Sequence, residues 1–170
     1  MKLLRLSGVA LLVAGLVAAF SGPVLAQGTA SPQEIVKKVQ EAAAFLGKSG
    51  ESGLAEFNKK KSNWVWKDTY IFVYDCGKGT IAAHSQQPGL IGKRLAGLKD
   101  IKGTLFFVQL CEAAKKPGGA WVEYWWPKPG TMEPSRKISF MLQAGSSPYQ
   151  VGAGIYDDKM SLDQLDKVVK

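Results

Sequence analysis

The sequence predicts an α+β domain, one antiparallel sheet of about five strands with helical cover on both faces. Three observations carry that expectation. Segments of helical and strand periodicity follow one another as helix, two strands, loop and helix, three strands, short helix. The strands are joined mainly by short turn-forming segments, which favours antiparallel pairing. One strand, "AWVEYWW" at 120–126, carries large apolar side chains on both of its faces, so each face needs a covering layer.

The first helix starts at "SPQE", residues 31–34. Ser31 suits the N-cap, Pro32 the first helical position and Glu34 the third position of a capping box. Behind them Ile35, Val36, Val39, Ala42, Ala43 and Leu46 recur at helical spacing and make one apolar stripe. "GLAEFNKKK" extends this helix, with a break expected near Lys48–Ser52, where glycines weaken it. "DTYIFVYDC" reads as a strand, "GKG" at 77–79 as a turn and "TIAAH" as the returning strand. "SQQPGLIGKRLAGLKDIKG" has the proline and glycine punctuation of a structured loop.

A second helix is expected in "TLFFVQLCEAAKK", with Phe107, Leu110, Cys111 and Ala114 on one side. "PGG" ends it. Strands "AWVEYWW", "RKISFMLQ" and "YQVGAGIYD" follow, then a short helix in "SLDQLDKVVK" capped by Ser161. In the ring-rich strand Val122, Tyr124 and Trp126 share one face, and Trp121, Glu123 and Trp125 the other. We read it as the central wall of the sheet, stopped by Pro127, which cannot donate to the ladder. The first helix is expected over one face and segment 85–116 over the other.

The first 26 residues read as a secretory leader: Lys2 and Arg5, an apolar run from Val9 to Phe20, then Val24 and Ala26 at the −3 and −1 positions of a cleavage site. Cleavage after Ala26 leaves one domain at 27–170, periplasmic or secreted. The formal charge of +8 falls to +6 when Lys2 and Arg5 leave, with 20 basic against 14 acidic residues. The lysines are spread out, and "NKKKS" at 58–62 reads as a solvated helix end, so no basic stripe suits nucleic acid. No later apolar run is long enough to span a bilayer. Cys76 and Cys111 are expected to pair in an oxidising compartment and to pin a helix to the sheet.

Candidate chemistry is sparse. His84 is the one histidine, and with two distant cysteines it makes no persuasive metal site. No phosphate-loop grammar or nucleophile elbow occurs, so neither a nucleotide cofactor nor a catalytic residue is expected. Three function classes are weighed. A small-ligand-binding module would use the ring-lined sheet face. A structural or protein-interaction module would use Trp125 and Trp66 as exposed anchors. An exported hydrolase built on His84 comes last.

The order "DTYIFVYD", "IAAHSQQPGLIGKRL", "KDIKGTLFFVQL", "GGAWVEYWWPKPG", "RKISFML" and "VGAGIYDD" resembles the single Cache domain of the second type, from about Ile35 to Asp158. The resemblance implies an extracytoplasmic sensory module: a long N-terminal helix and a PAS-like antiparallel sheet that binds small molecules, often organic acids such as pyruvate or acetate, on one face. Such domains are commonly the outer part of chemoreceptors or histidine kinases. The sequence ends at Lys170 without a signalling module, so the expectation is a free exported binding protein whose partner is a membrane receptor or kinase. By resemblance the ligand-binding candidates are Tyr70, Trp121, Tyr124 and Trp126 as ring walls. His84, Lys93 and Lys137 are the candidate anchors for a carboxylate, because charge-assisted hydrogen bonds are the strong ones.

Overall fold

Helix α1 runs from Pro32 to Ser49, and its start follows from its residues. The Ser31 hydroxyl accepts from the Glu34 N–H, and the Glu34 carboxylate accepts from the Ser31 N–H. This computed structural model describes residues 28–169. The leader and its cut after Ala26 lie outside the described residues. Beyond α1 a 3-10 turn at Gly50–Gly53 leads into the one-turn helix α2, Leu54–Phe57. The expected break therefore appears as a tightening of the helix.

Strands β1 (Val65–Trp66) and β2 (Thr69–Tyr70) form a small ribbon that the sequence reading did not separate from the next strand. Lys67 at its turn takes φ 48°, an uncommon value for a side-chain-bearing residue. The turn is held at the start of α1, where Lys67 pairs with Glu34 at 2.7 Å and Asp68 accepts from the Ala30 N–H at 2.9 Å.

The main sheet contains β3 (Phe72–Asp75), β4 (Thr80–His84), β5 (Ala120–Pro127), β6 (Pro134–Gln143) and β7 (Tyr149–Ile155). Its order is β4-β3-β7-β6-β5, antiparallel throughout. The ring-rich β5 is therefore an edge strand, which corrects its reading as the central wall. The centre belongs to β7, whose "VGAGI" carries little side-chain bulk. Two glycines there accept the neighbours' bulk. A Cβ at Gly152 would lie 2.2 Å from Met141 Sδ, and one at Gly154 would lie 2.3 Å from Ser139 Oγ and 2.9 Å from Lys137 Cε. Both positions require glycine if those three side chains are to share one face.

Helix α1 packs on one face with an all-apolar core of Ile35, Val39, Leu46, Ile71, Val73, Ile138, Phe140 and Val151. Helix α4, Leu162–Val169, adds Leu165 to the same side. Helix α3, Phe106–Lys115, covers the other face with Phe106, Phe107 and Leu110 against Tyr70, Phe72, Tyr74, Tyr124 and Met141. A disulfide between Cys76 and Cys111 ties α3 to the end of β3. Among the described residues no helix is long and apolar enough to cross a membrane.

Candidate functional site

Strand alternation sends Lys137, Ser139 and Met141 of β6 to the α3 face, opposite Tyr124 and Val122 of β5. Lys137 is the anomaly there. It is 1% exposed, and among the described residues no carboxylate pairs with it. Rings form its surroundings. Its Nζ lies 4.4 Å from the centroid of Tyr70 and 5.1 Å from those of Phe72 and Tyr156. It donates one hydrogen bond, to Tyr70 Oη at 3.2 Å. Cation–π attraction offsets part of the cost of desolvating an ammonium, but three aromatic faces supply no counter-charge. Burial accordingly pulls the Lys137 pKa down to about 7.

His84 ends β4 beside this cage, its ring 4.9 Å from that of Tyr70 and 6.4 Å from that of Phe72. The Gln87 N–H donates to His84 Nδ1 at 3.0 Å, so the histidine caps the following turn. That bond fixes the tautomer: a neutral ring with an acceptor Nδ1 carries its proton on Nε2 and offers a donor there. Burial, followed by the nearby Lys137 charge, holds His84 down to about 3, so it is neutral at ordinary pH. Burial pushes the Tyr70 hydroxyl up to about 12, keeping it a neutral donor and acceptor.

The other tyrosines complete the face. Tyr124 stacks on Phe106 at 5.0 Å and its hydroxyl shares a 3.0 Å hydrogen bond with Ser139. Tyr156, just past β7, donates to the Pro127 carbonyl at 2.8 Å, which ties the end of β5 to the cage. The loop 128–132 stands over this region and divides two clefts. One, of about 240 Å³, reaches Tyr70 and is bordered by Gln86, Gln87, Thr131 and Met132. The other, of about 300 Å³, reaches Tyr156 and is bordered by Lys67, Asp68 and Lys128. The lining of each cleft includes a ring that packs against Lys137. A wider cleft of about 490 Å³ lies between the start of α1 and α4, but its Asp157 carboxylate is already satisfied by the N–H groups of Lys159 and Met160.

Of the seven ligand-binding candidates, five share this face: Tyr70, His84, Tyr124, Trp126 and Lys137. Trp126 lies at its rim, half-buried, with its ring 5.4 Å from Phe106. Two candidates need correction. Trp121 points to the α1 side, 6% exposed, 5.3 Å from Phe140, because its odd-numbered position puts it opposite Tyr124 on the pleat. Lys93 is exposed in the segment that runs beside β4, with its backbone carbonyl accepting from the Ile81 N–H, so its side chain serves the surface. The expected interaction anchors change as well: Trp66 and Trp125 are half-buried rather than exposed. Sequence reasoning missed Phe72 and Tyr156 as cage walls. Phe72 alternates with Tyr70, and Tyr156 closes the "GAGIY" run, so both signals were present in the sequence.

Comparisons with known proteins bear on the family and the fold. A family model described as Cache domain matches residues 31–161. The methyl-accepting chemotaxis protein McpP of Pseudomonas putida is 29% identical over 96 residues, 56% of this chain and 18% of that protein. The sensor histidine kinase MctS of Rhizobium johnstonii is 35% identical over 92 residues, 54% of this chain and 20% of that protein. The chain thus spans about a fifth of the length of these curated relatives. Among solved structures, a periplasmic sensor domain of a chemotaxis protein superposes with a TM-score of 0.57 at 27% identity, covering 72% of this chain and 88% of that one. A Cache chemosensory domain whose structure is described for carboxylic acid recognition reaches 0.56 at 24% identity, covering 72% and 86%, which is a likeness of fold.

Proposed function

The chain belongs to the Cache domain family, a family of sensory ligand-binding modules, and we propose that it is an exported module that takes a small organic anion on the α3 face of its sheet. One observation carries this reading: Lys137 is fully buried in an aromatic cage with no carboxylate paired to it among the described residues. A carboxylate placed beside its Nζ supplies the missing charge, and in a dry site a charge-assisted hydrogen bond is strong. The His84 Nε2–H and the Tyr70 hydroxyl are the accompanying donors, and the rings hold the ligand's carbon skeleton. The chemistry selects anions over amines, since a cation there faces a second cation.

Residues 27–170 are taken as the single sensory domain, and its partner as a membrane receptor or kinase of the kind to which the relatives belong. The test is a thermal-shift screen of that domain against small carboxylates, amino acids, amines and purines. A ligand bound only by the folded state adds about 2.7 kcal/mol at a hundredfold excess over its Kd. Carboxylates should raise Tm in the wild type and not in Lys137→Met. A shift confined to amines or purines, or one that Lys137→Met retains, removes the anion reading.

A further inference from the structure

The segment 91–108, between the short turn at Pro88–Leu90 and the first turns of α3, has a surface unlike the rest of the domain. Seven large apolar side chains are exposed among the described residues, and five of them are here: Ile91, Leu98, Ile101, Leu105 and Val108. Ile101 is the most exposed of the five, at 64%. Interleaved with them are the exposed cations Lys93, Arg94, Lys99 and Lys102. Apart from glycine, every exposed residue from 91 to 108 is either apolar or positively charged.

The single acid of the segment does not alter that character. Asp100 turns its carboxylate inward, accepting from the N–H groups of Lys102, Thr104 and Trp125 at 2.8–3.0 Å. Those bonds also anchor the segment. Ile91 bridges to Ile81 of β4, and Asp100 holds β5 at the opposite edge of the sheet. The segment therefore crosses the α3 side of the domain from one edge strand to the other. Leu95 points inward as its core anchor. Lys102 Nζ lies 5.2 Å from the Trp125 ring, a second tie between the segment and β5.

We propose that segment 91–108 is a docking surface for an anionic phospholipid membrane. Exposed apolar patches mark interaction sites, and this one is ringed by a single sign of charge. Hydrocarbon side chains flanked by lysine and arginine match a bilayer interface, where the apolar groups enter the acyl boundary and the cations meet lipid phosphates. A protein partner would be met by hydrogen-bonding side chains of both signs, and the exposed positions here offer none beyond the cations. A second copy of the same surface is excluded by its own charge. Docked this way, the covering layer of the Lys137 face rests on the bilayer.

The test uses the chain from Gln27 to Lys170, which contains all the described elements without the apolar leader, in co-sedimentation with vesicles. Vesicles of phosphatidylglycerol and phosphatidylcholine should bind it, and pure phosphatidylcholine should bind it at least about tenfold more weakly. Raising the salt to about 0.5 M should release most of it. Lys99→Ser/Lys102→Ser and Ile101→Ser/Leu105→Ser should each weaken binding by about tenfold or more while Tm stays near the wild-type value. These positions are solvent-exposed, and the two pairs report independently. No binding to the anionic vesicles, or binding that both pairs retain, overturns the proposal. In the first case the surface passes to a protein partner, and in the second the membrane contact lies elsewhere on the domain.

Discussion

The two faces of the sheet are built from alternate residues of the same strands, yet they obey different rules. On the α1 face, Ile138 and Phe140 of β6 and Trp121 of β5 meet a helix stripe of aliphatic side chains, and the misfits among the described residues are two buried indole nitrogens without a partner, Nε1 of Trp121 and of Trp66. On the α3 face, one residue along, Lys137 and Ser139 meet Tyr70, Phe72 and Tyr124. The first face is a core whose energy is burial of hydrocarbon. The second buries an ammonium that pairs with no carboxylate among the described residues. That unpaired charge is what the proposed anion would answer.

The largest effect should come from damaging the first face. Phe140 is fully buried there, so Phe140→Ala should cost about 3–5 kcal/mol in chemical denaturation and leave the ligand preference of the folded fraction unchanged. A change in preference would mean that the two faces are not independent.

The next variant should act with opposite sign. Lys137→Met removes a buried charge and keeps the bulk, so the ligand-free protein should gain about 1–4 kcal/mol while carboxylate binding disappears. Melting curves with and without ligand read both. A loss of stability would show that the ammonium is better compensated by its three rings than burial implies.

Acidity sharpens the contrast further. The Lys137 pKa stands at about 7 in the folded chain against 10.5 ordinarily, so between those values the unfolded chain holds the extra proton. Stability of the ligand-free protein should therefore rise as pH goes from about 7 towards 10.5, with the full cost of the charge present below 7. Carboxylate binding must restore that proton, so affinity should fall by up to about tenfold per pH unit above 7, about 1.4 kcal/mol each. His84 acts in a separate window: it is held at about 3 against 6.5, so stability should be lost as pH falls from 6.5 towards 3. Calorimetric titration of a carboxylate at pH 6 to 9 checks the affinity slope, and a flat profile would contradict a charged Lys137 as the anion's partner.

The smallest effect lies at the end of the helix that covers the first face. Ser31→Ala deletes the hydroxyl that accepts from the Glu34 N–H and should cost about 1 kcal/mol, read as a small drop in Tm with ligand affinity untouched.

Much of this arrangement could be read from the residues. The α1 stripe, the capping box at Ser31, the α3 segment and the sharing of faces along β5 follow from local periodicity, which the folded chain keeps. Strand order does not follow from it. Alternation says which residues share a face but not which strand lies in the middle, so the ring density of β5 does not reveal that the centre belongs to β7. The same limit governs the site. Tyr70 and Lys137 are brought together by pairing of distant strands, and Tyr156 arrives from beyond the end of another. Lys93 has the right chemistry, but only the fold shows that it is exposed beside Ile81 rather than buried in the cage.

Gly152 and Gly154 place the smallest possible floor under the largest side chains of the α3 face. This divides the routes by which the domain can change what it recognises. The floor cannot drift, because any added carbon there strikes Met141, Ser139 or Lys137. The borders of the two clefts lie in loops, and Lys128, Thr131 and Met132 there are exposed. On the proposed reading, substitutions at the rim retune the ligand while Lys137 and its glycine floor stay in place, so a new specificity is reached without reopening the question of how the protein folds.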